Sequence, residues 1–293
     1  MAPSRIALLG MLIVFSLFGG FHIYERMPDG RLHIHLFEVD EGDAILITTP
    51  EGHFITVDGG INSAAISKFF AQKWFWDRDI DLLILTHPDS DHLNGAYDLL
   101  QAFHVKKILF TGIQKQEEVY DHFLSLAQQK GVPIIIADQW SDIHSGDIVL
   151  DTLFPLTTLQ NQETKLANNT SIVFQLRYSG FNMLFTGDIE EEKEKLLLST
   201  GVPLKSDVLK IAHHGSNTSS TLPFLMSVAP RAAIFPVGVK TRFPHPSPII
   251  VQRFQDLKIP TWNTKNGDIE IVVNTEQFCM VQKESQKCEK NNP

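Results

Sequence analysis

Apolar and polar positions fall into short blocks whose period changes along the chain. Residues 32–39, 43–49 and 53–57 are short, apolar and rich in β-branched side chains, separated by Glu41-Gly42 and Pro50-Glu51-Gly52. They predict consecutive strands of a meander. His33 and His35 alternate on the first of these and share one strand face, where packing explains them better than a metal does. Residues 61–75 take up the helical period, with Asn62 or Ser63 placed as N-cap. Leu82-Leu83-Ile84-Leu85 reads as a buried strand, and residues 93–103 as a helix. Strand, helix and strand follow at 107–111, 116–130 and 133–136.

The second half repeats the scheme. Strands are predicted at 147–154, 171–178 and 181–185, a charged helix at 189–198, then a strand at 207–212, a helix near 222–228, a strand at 231–237, a helix near 248–257 and a strand at 268–274. The acids of residues 190–194 read as the solvated first turns of their helix, where they complement its dipole. No low-complexity stretch or Gly/Pro/Ser-rich linker divides the chain. Each half runs strands first and then mixed strand and helix. This predicts an α/β (α+β) domain over residues 30–293, a four-layer αββα sandwich with two sheets face to face. Loops of both halves then meet along one edge.

Residues 6–23 stand apart: they are almost wholly apolar, with no charge between Arg5 and Glu25. The length is at the short end for a membrane span and also fits the apolar region of a secretory signal. No small-x-small cleavage site follows Phe18-Gly19-Gly20-Phe21-His22. Residues 1–25 are therefore expected to be an uncleaved signal anchor, with the domain exported to a periplasmic or extracellular side, or secreted if the segment is cleaved. Arg5 favours a cytoplasmic N-terminus. The competing reading is a buried helix of the fold. Cys279 and Cys288 pair if the domain is exported and are free thiols if it is cytosolic.

Composition adds bounds. The 293 residues are 43% hydrophobic and 20% charged, as in ordinary globular proteins. A formal charge of −9 and a pI near 5.7 argue against a tight nucleic-acid binder, which needs clustered Lys and Arg. They do not exclude an enzyme that meets nucleic acid only at a metal site.

The chemistry concentrates where apolar runs end. His87-Pro88-Asp89-Ser90-Asp91-His92 follows the 82–85 strand and places two imidazoles and two carboxylates in one short turn. Imidazole suits zinc and manganese, and carboxylate favours harder ions. Val57-Asp58-Gly59-Gly60, Phe185-Thr186-Gly187-Asp188 and Ile211-Ala212-His213-His214-Gly215-Ser216 close three further apolar runs. Singly, each reads as well as a turn. Together they supply the extra imidazole and carboxylate that a two-metal hydrolytic centre requires.

In that order these motifs resemble the metallo-β-lactamase fold superfamily. Several stretches resemble in particular the hydrolase domain of ComEC-type DNA-uptake proteins: Val39 to Ala44, Asn168-Asn169-Thr170-Ser171, Leu184 to Asp188, Asp207-Val208-Leu209-Lys210, His245-Pro246 and Asn266-Gly267-Asp268. The resemblance runs from about residue 32 to 273. It implies an αββα sandwich with two divalent ions, zinc or manganese. His87 and Asp89 would hold one ion. Asp91, His92 and one of His213 or His214 would hold the other, and Asp188 would bridge them. Asn168 stands where many members carry a histidine, which leaves the first ion more loosely held. Asp58 would orient the cluster turn. Ser216 would contact substrate, and His245 would touch a phosphate oxygen or be a structural histidine.

The resemblance implies hydrolysis of a phosphodiester, DNA above all, in DNA uptake (competence), with Asp89, Asp91 and Asp188 as catalytic carboxylates. Two departures stand out. Asp40-Glu41 replaces the usual Gly-Gln and adds negative charge near the site. One apolar segment cannot form the many-span channel of ComEC-type proteins, so a separate channel protein is the expected partner. Rival readings are hydrolysis of another envelope ester or phosphodiester, a lactam, or a non-catalytic DNA-binding subunit. Asp89, where lactamases usually carry His, argues against the lactam.

Overall fold

The structure is a computed structural model that describes residues 11–13, 28–72 and 77–292. The first strands are β1 (Leu32–Leu36), β2 (Ile45–Thr48), β3 (Phe54–Val57), β4 (Asp79–Ile80), β5 (Leu82–Leu85), β6 (His104–Val105), β7 (Ile108–Phe110) and β8 (Ile134–Ile136). β9 (Ile143–Ser145), β10 (Ile148–Phe154), β11 (Val173–Tyr178), β12 (Phe181–Phe185), β13 (Val208–Lys210), β14 (Ala232–Phe235) and β15 (Thr261–Asn263) come next. β16 (Ile269–Val273), β17 (Gln277–Gln282) and β18 (Ser285–Lys290) complete the set. The helices are α1 (Ala64–Gln72), α2 (Ser90–Ala102), α3 (Glu118–Gln129), α4 (Glu191–Thr200), α5 (Leu222–Val228) and α6 (Pro248–Asp256).

Two large sheets face each other. One has nine strands in the order β18-β17-β16-β1-β2-β3-β5-β7-β8, the other seven in the order β15-β14-β13-β12-β11-β10-β9. Alternation on β1 explains its orientation: Leu32, Ile34 and Leu36 are buried between the sheets, and His33 and His35 point to the outer face. The inter-sheet core also takes Val57, Ile84, Phe174, Phe185 and Ile271. A second cluster lies under α1, α2 and α3, and a third under α4, α5 and α6. The layers are therefore helix, sheet, sheet, helix. β5 is buried at all four positions, as a strand covered on both faces must be.

Within this frame β3, β5, β7 and β8 run parallel, as do β12, β13, β14 and β15. Backbone amides and helix starts collect at the C-terminal ends of such strands, and ligand sites form there.

Four differences from the sequence expectation have physical causes. α2 begins at Ser90 rather than 93, because Asp89 takes the N-cap position and Pro88 precedes it. Asp91 and His92 thus lie in a first helical turn rather than a loop. Glu194 is fully buried rather than solvated: its carboxylate accepts the backbone N–H groups of Ser220 and Thr221 at the start of α5. The polar hairpin β17–β18 extends the first sheet, and the disulfide Cys279–Cys288 joins directly paired positions on it. β9 adds a short edge strand to the second sheet.

Helix α1 is described as far as Gln72, and residues 73–75 of the expected 61–75 segment, with Trp74 among them, lie outside the described residues, as does Trp76. So does most of the apolar 6–23 segment. Among the described residues no helix is long and apolar enough to cross a membrane.

Candidate metal centre

The parallel strand ends deliver the site. Asp58 follows β3 and His87 follows β5, from the nine-stranded sheet. Asp188 follows β12 and His214 follows β13, from the seven-stranded sheet. Ligand atoms of Asp91, His92, Asp188 and His214 all lie within 4.8 Å of one another. His214 Nε2 is 3.0 Å from Asp188 Oδ2 and 3.3 Å from Asp91 Oδ2. His92 Nε2 is 3.4 Å from Asp188 Oδ2.

The hydrogen bonds on the far side of each ring fix its orientation. Asp58 is fully buried and is the hub. Its Oδ2 accepts His92 Nδ1–H at 2.8 Å and the Thr86 hydroxyl at 2.7 Å, and its Oδ1 accepts the Thr86 N–H. The Thr86 proton is thereby used, so at 3.0 Å that oxygen accepts from His87 Nδ1–H. His214 Nδ1–H donates to the Pro236 carbonyl at 3.1 Å. All three Nε2 atoms are left buried without a hydrogen-bond partner. Three imidazoles turned the same way, with their other nitrogens braced, form the arrangement that metal-ligating histidines require.

Charge points the same way. The buried site holds the carboxylates Asp43, Asp58, Asp91 and Asp188 and one buried ammonium, Lys210, which pairs with Asp43 and lies 3.3 Å from Asp188 Oδ1. Four carboxylates against one ammonium leave a formal −3 before the imidazoles. Such a buried excess is costly unless cations compensate it. Burial alone would lower the pKa of His214, but Asp188 and Asp91 push it up to about 10. Burial is likewise outweighed at His92, where Asp188, Asp58 and Asp91 raise the pKa well above the ordinary value. Burial would raise Asp188, yet His214, His92 and Lys210 hold it well below the usual carboxylate range. His87 differs: burial and then repulsion from His92 depress it, so it stays neutral. The residues present therefore fit a divalent cation, with imidazole and carboxylate donors and a field that attracts positive charge.

The structure separates the sequence candidates. Asp91, His92, Asp188 and His214 come together, and His87 adjoins them with its ring centroid 4.2 Å from that of His92. Asp89 Oδ2 is 3.7 Å from His87 Nε2, but its Oδ1 is taken by Lys115 at 2.5 Å. Of the paired histidines, His213 turns away. Its Nδ1 lies 3.6 Å from Glu190 and 3.3 Å from the Thr218 hydroxyl, and Asn168 Nδ2 sits 3.3 Å from its Nε2. Both residues have left-handed backbone, φ 48° and 52°, which swings the two rings to different sides. Asn168 thus contacts His213 among the described residues. Ser216 is buried against Thr218, 3.1 Å between hydroxyls. His245 stands beside His213, 5.7 Å between centroids, with its Nδ1 buried and unpartnered.

Asp43, Thr86, Lys115 and Lys210 escaped sequence reasoning. Asp43 and Lys210 lay in motif stretches, but no spacing rule marks a pair that meets across two sheets. Gly42 shows how tightly the Asp43 loop is drawn in: a Cβ there would sit 1.5 Å from the Asp91 carbonyl oxygen. The Asp40-Glu41 negatives are partly answered, since Arg242 Nε pairs with Glu41 at 2.6 Å.

A second histidine cluster lies on the outer face of β1. His33 donates to Glu270 at 2.7 Å through Nδ1–H and, when protonated, to Asp29 at 3.1 Å through Nε2–H, and His35 stacks between His33 and Phe37.

A fold of this layering, with this ligand order at the strand ends, defines a metal-dependent hydrolase class. The metallo-β-lactamase superfamily profile matches residues 38–239, and the chain belongs to that superfamily. Its relatives include competence proteins. "ComE operon protein 3" of Bacillus subtilis is 32% identical over 263 residues, covering 81% of this chain and 32% of that protein. "Competence protein ComA" of Neisseria gonorrhoeae is 29% identical over 241 residues, with the same two coverages of 81% and 32%. The chain thus spans about a third of the length of these relatives. Among solved structures, the metallo-β-lactamase fold protein YhfI from Bacillus subtilis superposes with a TM-score of 0.51 at 12% identity, covering 81% of this chain and 99% of that one. That likeness shows the fold.

Proposed function

We propose that the chain is a phosphodiesterase acting on DNA in DNA uptake, of the ComEC type, with two divalent ions, zinc or manganese, in the site. The observation that carries the reading is the set of three buried, unpartnered Nε2 atoms on braced rings: those of His92 and His214 converge on Asp91 and Asp188, and that of His87 stands beside Asp89. The competence relatives supply the substrate class. Divalent ions held here supply Lewis-acid activation of water and neutralise the charge that builds on phosphoryl oxygens.

The chain's own residues do the positioning. Asp58 aims His92 directly and His87 through Thr86. Lys210 holds Asp188 Oδ1, which presents Oδ2 to the two imidazoles that face it. Asp91, His92, His214 and Asp188 would hold one ion, and His87 with Asp89 would hold the other. Lys115, paired to Asp89, brings a positive charge to the rim where a phosphate arrives.

Location belongs to the same reading. The 6–23 segment anchors the domain in a membrane, the domain is exported, and a membrane channel works with it. The Cys279–Cys288 disulfide supports export, because such bonds persist in oxidising compartments.

The test compares wild type with Asp91→Ala on single- and double-stranded DNA, with manganese and with zinc, alongside metal analysis. Metal-dependent cleavage by wild type alone is expected. A wild-type protein that binds metal but cleaves neither DNA nor a simple phosphodiester would overturn the reading.

A further inference from the structure

Three lysines stand on the same edge of the sandwich as the metal centre. β13, β14 and β15 are neighbouring parallel strands, so the residues that follow them share one edge. His214 follows β13, Lys240 lies on the segment after β14, and Lys265 follows β15. Two strand spacings, about 10 Å, separate the strand of His214 from that of Lys265. Lys283 opens the β17–β18 turn, which reaches the same edge from the other sheet.

Polar side chains lock these segments together. The Pro236 carbonyl that braces His214 begins the Lys240 segment. Buried Thr264 donates its hydroxyl to the Val237 carbonyl at 2.9 Å and accepts the Val237 N–H at 2.8 Å. Gln282 Nε2 donates to the carbonyls of Asn263 at 2.8 Å and Gly267 at 2.7 Å, which docks the β17–β18 turn beside Lys265. The stem of Lys283 then lies across Gly267, where a Cβ would stand 3.1 Å from Lys283 Cε.

The charges of this strip are unanswered. Lys240, Lys265 and Lys283 are exposed, and none forms an ion pair among the described residues. Neighbouring acids are spent elsewhere: Glu41 on Arg242, Asp268 on Lys68 at 2.6 Å, and Glu38 on the backbone N–H groups of Asp40 and Val239. Asp40 and Glu284 remain beside the strip. A chain of formal charge −9 thus sets three uncompensated ammonium groups next to its metal centre. Like charges gathered on one fixed surface repel one another, and a polyanion relieves that repulsion.

We propose that Lys240, Lys265 and Lys283 form a phosphate-binding strip that carries a nucleic-acid strand away from the metal centre. Its contacts are to backbone phosphates, so they position the strand and read no sequence. The inference rests on the phosphodiesterase reading and deepens it: the substrate is a strand long enough to extend past the ions. An anionic membrane is the rival occupant. Nucleic acid fits better, because the strip starts at the backbone that braces a metal ligand.

The experiment uses the full, metal-loaded chain and a phosphorothioate-linked single strand, with affinity followed by anisotropy from about 50 to about 200 mM salt. Vesicles of anionic lipid are titrated alongside. Each phosphate contact contributes about 0.7 to the slope of log affinity against log salt on a single strand. Lys240→Gln, Lys265→Gln and Lys283→Gln together are expected to flatten that slope by about two, so wild type loses about 15- to 20-fold more affinity across the range than this variant. The loss in kcat/KM is expected to grow from a dinucleotide to a long oligonucleotide. The control removes the same charge at the opposite edge, where Lys107, Lys205 and Lys258 are exposed ahead of β7, β13 and β15. Lys107→Gln, Lys205→Gln and Lys258→Gln together should keep the wild-type slope. Metal content is expected to match wild type in both triple variants. Equal slopes for the two triple variants, or a loss confined to the vesicles, would overturn the strip and leave the nuclease reading intact. A strip-dependent slope in a chain that hydrolyses no phosphodiester would retain the surface and remove the nuclease reading.

Discussion

Two separate histidine–carboxylate clusters stand among the described residues, and they differ in what their ring nitrogens do. At the strand ends, His87, His92 and His214 spend one nitrogen each on a brace and leave the other buried and unpartnered. On the outer face of β1, His33 spends both nitrogens on carboxylates, and the neighbouring His35 is stacked between rings. Both groups bring ligand atoms within 4.8 Å. Proximity is therefore a poor criterion, and uncommitted lone pairs are a better one. The first cluster is built for a cation, and the second is an ion-paired surface contact.

The largest test of that contrast removes a ligand. Asp188→Ala is expected to lose bound metal and on the order of a thousandfold of activity, the several kcal/mol that Lewis-acid stabilisation supplies. Elemental analysis and kcat/KM on one sample check both. Next comes the brace: Asp58→Ala keeps every ligand but frees two imidazoles, so metal affinity should fall about ten- to a hundredfold in calorimetry. An unchanged affinity would show that the braces are incidental.

Lys115→Met has the opposite sign. It releases Asp89 Oδ1, so occupancy beside His87 should tighten by about two- to fivefold, the worth of a partly exposed ion pair. Titration of metal stoichiometry would reveal it. The smallest effect belongs to the outer cluster. His33→Asn should leave metal content and activity unchanged and cost about 0.2–1 kcal/mol of stability at low pH.

The pH dependence of that last variant follows from its hydrogen bonds. Burial would lower the pKa of His33, but Glu270 and Asp29 raise it above 6.5. The stabilisation is therefore complete below about pH 6.5 and fades as pH rises through the folded value. The melting-temperature gap between wild type and variant should close on going from pH 5.5 to 9. A gap that widens, or a metal that leaves with His33, would erase the distinction between the clusters.

Much of the site was legible because its ligands are contiguous. His87, Asp89, Asp91 and His92 fall within six residues, and apolar strands point to where each other cluster ends. The layers were legible for the same reason, since periods of two and of 3.6 mark which faces are buried. What the chain concealed is whatever arises when two sheets dock. Lys210 is fully buried against Asp43, and lysine in a sequence argues for solvent. The choice between His213 and His214 depends on two left-handed residues that a sequence does not announce. The β17–β18 hairpin was missed because its outer strand, Ser285–Lys290, is polar and mostly exposed and carries no alternation.

Lys210 has a further consequence. Asp43 comes from one half of the chain and Asp188 from the other, and the ammonium touches both at the seam. It is a counter-ion carried in the sequence. The two halves can close around it without waiting for a cation from the surroundings, so assembly and metal loading become separate events. The site would then meet its metal already shaped to receive it.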